Sequence, residues 1–488
     1  MRNLLFLIVL LCFLFHLFIL GRFPLPSISE VELNSAAHYL AEKGVENLFA
    51  SDFNESFRLT IAQSPLPVLL NAALLEKYTA DIFTMRVINA AFCFFTILLL
   101  FSYFTKMERG SFKNASILIA AALLLDPILN NRPQSSMSEW IGLFFLLLSL
   151  KKEFDKDGNT SFKKDFDKDG HTFRSTISAA FFCALAFYSS FSLLFLLPAI
   201  FFYKLFKALV DARNNQYSSL YHLATWPFLL ALFYFPWFFS TMNWNTFYLS
   251  QLKPEGLYLM PLAEQALCIG SAILLIYTLT LKYNYHHTSI IWLCVAFIVN
   301  FHVLSYFITL SPTIIVPFYY LFFFALLPLN VTSNQARELR YYPIAFLAII
   351  HGLIFAIQFV VLLKNYRDRS GDELEAFVKT SIAPNRHVTG DATVFYGVGK
   401  SKHPYRLVTN EQKFKSYLNA QDLDYLLLSQ HFLKNMKDSS LFSLHSENLQ
   451  KLGALTYSPV PISISEVLGL ADAREEDLYS CVLFQYKK

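Results

Sequence analysis

Charge is what this sequence has least of: Asp, Glu, Lys and Arg make up 16% of its 488 residues, against about 25% in soluble globular proteins. The deficit falls in blocks, which excludes an ordinary soluble chain and leaves a polytopic membrane protein. The net charge of +4 is small and concentrated in short loops, so the basic field that nucleic acid requires is missing. Cysteine is also sparse. Of six, Cys12, Cys93, Cys183, Cys268 and Cys294 lie in apolar segments and only Cys481 in a polar one. That distribution offers neither a disulfide framework nor a CxxC metal site, and buried thiols act as small apolar side chains. No small-x-small cleavage site follows the leading apolar run, which continues into Gly21-Arg22-Phe23-Pro24. The run behind Arg2, about 18 residues long, therefore reads as an uncleaved anchor with a cytoplasmic N-terminus.

What is abundant is apolar: 55% of residues are hydrophobic, 51 are Phe, and the mean hydropathy is +0.41. Apolar segments recur at 3–20, 85–104, 114–130, 137–150, 175–188, 191–206, 220–240, 262–281, 289–307, 313–328 and 343–363. They predict roughly eleven spans, with 175–206 either one bent helix or a pair. An odd number puts the termini on opposite sides. Lysine and arginine cluster in alternate loops (Lys106, Arg109 and Lys113; Lys151, Lys152, Lys163 and Lys164; Lys204, Lys207 and Arg213; Lys282; Arg337 and Arg340). Their opposite numbers hold little beyond Arg132 and Lys253. This positive-inside pattern places the first long loop and the C-terminal region outside.

One repeat stands out in a loop at 151–174, KKEFDKDGNTSF followed by KKDFDKDGHTF. Asp-Lys-Asp-Gly resembles the start of a calcium loop, but the positions that need Gly and Glu hold Thr160 or Thr172 and Phe166 or Ser178. A solvated, duplicated cytoplasmic loop is the reading. From about residue 364 polar composition returns. Short apolar runs at Thr393–Tyr396, Arg406–Val408, Tyr425–Leu428 and Cys481–Phe484 alternate with candidate helices at Asp372–Lys379 and Gln412–Leu418. Such alternation predicts a small α/β domain over 364–488, outside the membrane portion at 1–363.

The first outer loop, 21–84, is patterned rather than passive. Ser29 can cap a helix whose first turn holds Glu30 and Glu32, and Val31, Leu33, Ala36, Ala37 and Leu40 then recur at helical spacing up to Gly44. An interfacial helix is expected there, lying on the membrane surface, with a second from Pro65-Leu66-Pro67 into VLLNAALLEKY. Glu30 and Glu32 would thus stand next to water and lipid headgroups, where a spanning helix has just emerged. The bland reading is charge complementarity at a helix N-terminus, worth about 0.3–1 kcal/mol. Against it stand Arg132 and Glu139, on the same side and flanking span four. An arginine fork suits phosphoryl oxygens, so Glu30, Glu32, Glu139 and Arg132 together form a candidate acid-and-phosphate site. His286-His287 read as solvated loop, and His302 and His351 as helix-to-helix hydrogen-bonding groups. Asp126, before Pro127, reads equally as cavity lining or helix end.

Three stretches carry a family resemblance. They are ISEVELNSAAHYLAEKG at 28–44, SPLPVLLNAALLEKYTADIFTMRVINAAF at 64–92, and NNRPQSSMSEWIGLFFLLLSL at 130–150. In their order and surroundings the chain resembles the polytopic glycosyltransferases of the GT-C class. It is most similar to family 39, which includes protein O-mannosyltransferases and lipid A aminoarabinose transferases. The pattern departs at Ser29, where that family has Asp, and at 188–191, Tyr-Ser-Ser-Phe, where relatives often carry Lys. The resemblance implies an inverting transfer from a polyprenyl-phosphate-linked sugar to a glycan, lipid or protein acceptor, at the outer face of a bacterial inner membrane. Glu30 would be the base with Glu32 as its substitute, Glu139 the orienting acid, and Arg132 the clamp on the donor phosphate. No metal and no other cofactor is needed for that chemistry. Span number alone also fits a lipid flippase or transporter, though no repeated halves are visible, and a non-catalytic assembly protein is the third reading.

Overall fold

The computed structural model describes residues 28–47, 55–75, 82–107, 137–158, 168–213, 218–241, 293–301, 348–353, 371–401, 403–408, 423–435, 449–457 and 479–486, with scattered single residues elsewhere. The first loop supplies three helices: α1 (Ile28–Lys43), α2 (Glu55–Gln63) and α3 (Pro65–Leu75). Five long apolar helices follow: α4 (Ile82–Met107), α5 (Met137–Gly158), α6 (Lys168–Ser189), α7 (Leu197–Arg213) and α8 (Ser218–Thr241). They occupy the segments expected to span at 85–104, 137–150, 175–188, 191–206 and 220–240. Residues 293–301 and 348–353 are helical too. The expected spans 114–130 and 262–281 lie outside the described residues.

The segment 175–206 is a pair. Ser190 takes an extended conformation (φ −150°, ψ 116°) between α6 and a 3₁₀ turn, Phe191–Leu196, that leads into α7. Asn300 donates from Nδ2 to the Phe195 carbonyl at 2.7 Å, so the broken backbone finds a partner inside apolar surroundings, as it must.

Small residues on α6 (Ala179, Ala180, Cys183, Ala184, Ala186) are fully buried and let α5 pack closely against it. Hydroxyls knit the helices: Tyr103 donates to the Leu147 carbonyl at 2.8 Å and Ser149 to that of Ala179 at 2.7 Å. Outward, large apolar side chains are bare. Phe228 is 69% and Phe202 64% exposed, with Phe95, Phe181 and Leu232 nearby in kind. An apolar surface of this extent calls for lipid rather than water. Among the described residues, Arg86–Tyr103 is the one helical window both long and apolar enough to cross a bilayer unaided.

Where described, the duplicated 151–174 segment is helical rather than loop. Residues 151–158 prolong α5 and 168–174 begin α6, with Ser175 Oγ donating to the Lys152 carbonyl at 3.1 Å. Lysine and glutamate are adequate helix formers, and a hydrogen-bonded helix continues past the apolar stretch that nucleates it.

The C-terminal region begins with α9 (Gly371–Ser381), then β1 (Val388–Gly390), a 3₁₀ turn (Ala392–Val394), α10 (Phe395–Lys400), β2 (Tyr405–Leu407), β3 (Tyr425–Ser429), α11 (Gln430–Asn435), β4 (Leu449–Leu455) and β5 (Cys481–Tyr486). The sheet order is β2-β1-β3-β5-β4. The pairs β1–β2 and β1–β3 are parallel, β3–β5 and β4–β5 antiparallel. Every residue of β3 is buried, as a strand covered on both faces requires. Asp391, just past β1, ties the parallel centre together: its carboxylate accepts from Ser429 N and Ser429 Oγ, both at 2.8 Å.

Expected strands at 406–408, 425–428 and 481–484 appear nearly in place, and the expected helix at 372–379 lies within α9. Of the expected helix at 412–418, only Phe414 and Tyr417 are described, both helical. The apolar run Thr393–Tyr396 is not a strand but the 3₁₀ turn and the start of α10. Its side chains serve two bodies. Val394 and Val398 enter the core beneath the sheet, while Phe395 and Tyr396 turn away and pack on the first-loop helices. That division positions the site.

Candidate active site

Helix α1 is expected to lie flat at the membrane surface. One face of it is packed inward: Leu33, Ala36, Ala37 and Leu40 meet Ile61 of α2, Val68 and Ala72 of α3, and Tyr396 of α10, while His38 and Glu42 are exposed. Gly44 ends it at φ +83°, donating its N–H to the Leu40 carbonyl at 2.9 Å. This is the left-handed cap that glycine adopts without strain. The helix starts at Ile28, so Ser29 lies inside it rather than at the cap.

Glu30 is the largest departure from expectation. It is buried, not water-facing, and both its oxygens are taken by Arg86 of α4: Nε to Oε1 at 2.7 Å and Nη2 to Oε2 at 2.8 Å. The two side chains have no measurable exposure. Arg86 also donates from Nη1 to the Leu20 carbonyl at 3.0 Å, tying in the end of the leading segment. A carboxylate so deep is tolerable because a planar guanidinium forks onto it.

A third donor comes from the other end of the chain. Tyr396 Oη donates to Glu30 Oε1 at 3.1 Å and accepts from Asn34 Nδ2, one turn along α1. Asn34 Oδ1 in turn accepts from Asn71 Nδ2 of α3 at 2.9 Å. A buried hydrogen-bonded line thus runs Asn71, Asn34, Tyr396, Glu30, Arg86 and Leu20, joining α3, α1, α10, α4 and the leading segment. Burial holds the Tyr396 phenol well above the usual tyrosine range; the Glu30 carboxylate adds to this and the Arg86 cation opposes it. The hydroxyl is therefore a neutral donor at any working pH.

The other expected site residues are placed differently. Glu32 follows Glu30 by two residues, roughly 200° round the helix, and is half-buried rather than enclosed. Glu139 stands half-buried in the first turn of α5; α3 packs on α4, α5 and α6. Arg132 lies outside the described residues. Among the described residues no group of three or more His, Cys, Asp or Glu side chains is placed to hold a metal ion.

Sequence reasoning missed Arg86, Asn34, Asn71 and Tyr396. Arg86 had a signal, a single cation at the head of an apolar span, where an ionisable group is costly without a partner. Tyr396 had none. Glu30 is enclosed in its ion pair, whereas Glu32 and Glu139 are each half-buried.

The comparisons bear on the fold. No family model matches the sequence, and no curated protein matches it. Solved structures do. The apo crystal structure of ArnT from Cupriavidus metallidurans is similar with a TM-score of 0.58 and 11% identity, covering 99% of this chain and 97% of that one. The structure of the same protein bound to undecaprenyl phosphate is similar with a TM-score of 0.56, at the same identity and coverage. At 11% identity the likeness is one of fold, and it extends over nearly the whole of both chains.

Proposed function

We propose that the protein is a membrane glycosyltransferase that moves a sugar from a polyprenyl-phosphate-linked donor to an acceptor at the outer face of a bacterial inner membrane. The observation that carries this reading is the end-to-end likeness to ArnT, a protein whose structure has been solved with undecaprenyl phosphate bound. The family 39 type of transfer, with the N-terminus cytoplasmic and the domains at 1–363 and 364–488, belongs to the same proposal.

Chemically, the acceptor hydroxyl gives its proton to a carboxylate while its oxygen attacks the anomeric carbon from the face opposite the phosphate. The carbon–oxygen bond to phosphate breaks, and the polyprenyl phosphate leaves with that electron pair. The ion pair at Glu30 moves the base role to Glu32. A proton on Glu30 would strand the Arg86 cation in a buried place, a change of a kind that costs about 3–5 kcal/mol. Glu30 then anchors, Glu32 takes the proton, Glu139 orients the acceptor and Arg132 neutralises the departing phosphate.

The test uses purified protein in liposomes with labelled undecaprenyl-phosphate hexoses and pentoses, and membranes of a deletion strain as acceptor. Glu32→Gln should lower turnover by about 10²-fold or more, the usual worth of a positioned base, with protein level unchanged. Wild-type rates in both Glu32→Gln and Glu139→Gln would reject this site. Movement of intact donor across the bilayer without sugar release would favour a flippase.

A further inference from the structure

We infer that Tyr396 is a positioning residue, the point through which the C-terminal α/β unit locks the rotation of α1 and so sets the direction in which Glu32 faces. The inference rests on the functional reading above and goes beyond it, since it makes the distant C-terminal unit part of the site.

The geometry is specific. Glu30 and Asn34 stand one turn apart on the same face of α1, and the Tyr396 hydroxyl bridges them, donating to Glu30 Oε1 at 3.1 Å and accepting from Asn34 Nδ2. Two contacts a turn apart resist both sliding and rolling of a helix, which one contact would not. Arg86 also holds Glu30, and Asn71 holds Asn34, so each partner of the hydroxyl is itself fixed. Apolar packing through Leu33, Ala36, Ala37 and Leu40 is non-directional, so these directional hydrogen bonds fix the rotation of α1 more sharply. Tyr396 is anchored in its own unit through Val394 of the 3₁₀ turn and Val398 of α10, which flank it in sequence and are buried under the sheet. Phe395 packs edge-on to both Tyr396 and Tyr405. Because Glu32 lies roughly 200° from Glu30 on the same helix, any roll of α1 carries its carboxylate sideways. A displacement of about 1 Å there is enough to cost a large factor in rate.

Tyr396→Phe keeps the ring and its packing and removes only the bridging oxygen. In full-length protein in liposomes two readouts are needed. Amide hydrogen exchange over residues 28–43 reports the lock, and release of undecaprenyl phosphate from the donor panel above reports its consequence. Exchange over 28–43 should quicken by about tenfold while 371–381 keeps its protection, since a hydrogen bond to a charged group is worth at least that much. Turnover should fall about tenfold in kcat, with KM for the donor within about twofold. Asn34→Ala should repeat both effects, and the double variant should add little to either. Unchanged exchange in Tyr396→Phe would overturn the inference whatever the activity. Faster exchange with unchanged kcat would overturn it too, leaving the hydroxyl a stabilising contact only. If wild-type protein released no undecaprenyl phosphate from any donor, the functional reading would fail and the positioning of Glu32 with it. The exchange data alone would then tell whether α1 is locked.

Discussion

Arg86→Met is the sharpest perturbation the structure offers. Glu30 has three donors, two from Arg86 and one from Tyr396, and the substitution removes the two charge-assisted ones. At about 1.5–3 kcal/mol each their loss amounts to roughly 3–6 kcal/mol, which agrees with the about 3–5 kcal/mol found when one member of a buried ion pair is deleted. The reason is desolvation. The carboxylate has no measurable exposure, so no water replaces what Arg86 supplied. Replacing both partners, Glu30→Leu with Arg86→Met, removes the stranded charge as well as its partner. That double variant should sit within about 1 kcal/mol of wild type, because apolar replacement of a whole buried pair is commonly neutral or stabilising. A coupling of about 3 kcal/mol or more follows from the cycle. Equilibrium unfolding in mixed detergent micelles, followed by the fluorescence of buried Trp140 and Trp226, measures all four corners. A cost below about 1 kcal/mol for Arg86→Met, or a double variant as unstable as the single, would refute the reasoning and mean that water reaches the pair.

Two further outcomes test the C-terminal unit. At Gly390 an added Cβ would meet the Leu427 carbonyl oxygen at 2.5 Å and Val394 Cγ2 at 2.8 Å; Gly390→Ala should therefore prise β1 from β3 and cost about 3 kcal/mol, the upper range of overpacking, read as faster proteolysis within 371–486. Burial raises the Tyr396 and Tyr405 phenols well above the usual tyrosine range, with Glu30 and Asp391 adding to each in turn. The folded chain keeps those two protons where the unfolded chain releases them, so their contribution is complete below about pH 10 and declines as pH rises beyond it. Tyrosinate absorbance should show at least two phenols that ionise only as the protein unfolds; titration of every tyrosine near pH 10 with the fold intact would contradict this.

The legible part of the fold was that governed by local pattern. Apolar runs, several of them short, marked α4 to α8 because each such helix satisfies its own backbone and needs no knowledge of its neighbours. Val31, Leu33, Ala36, Ala37 and Leu40 marked α1, with Gly44 as its stop, and the all-apolar Tyr425–Leu428 marked a central strand. Thr393–Tyr396 misled because Val394, Phe395 and Tyr396 divide between two bodies, a distinction that periodicity cannot carry. The polar 151–158 and 168–174 stretches misled in the opposite way, since helix persists there without apolar support.

The candidate site divides along the same line. Composition and spacing alone determined that acids stand at the head of α1 and that Glu139 opens α5. Which of those acids is spent in a buried pair and which stays half-open was decided by tertiary packing. Glu30 and Tyr396 are 366 positions apart, and no local pattern records that the C-terminal unit lands on the first loop. Helical spacing tells which residues share a face; only the assembled chain tells what that face meets, and for a carboxylate the meeting partner decides whether it anchors or reacts.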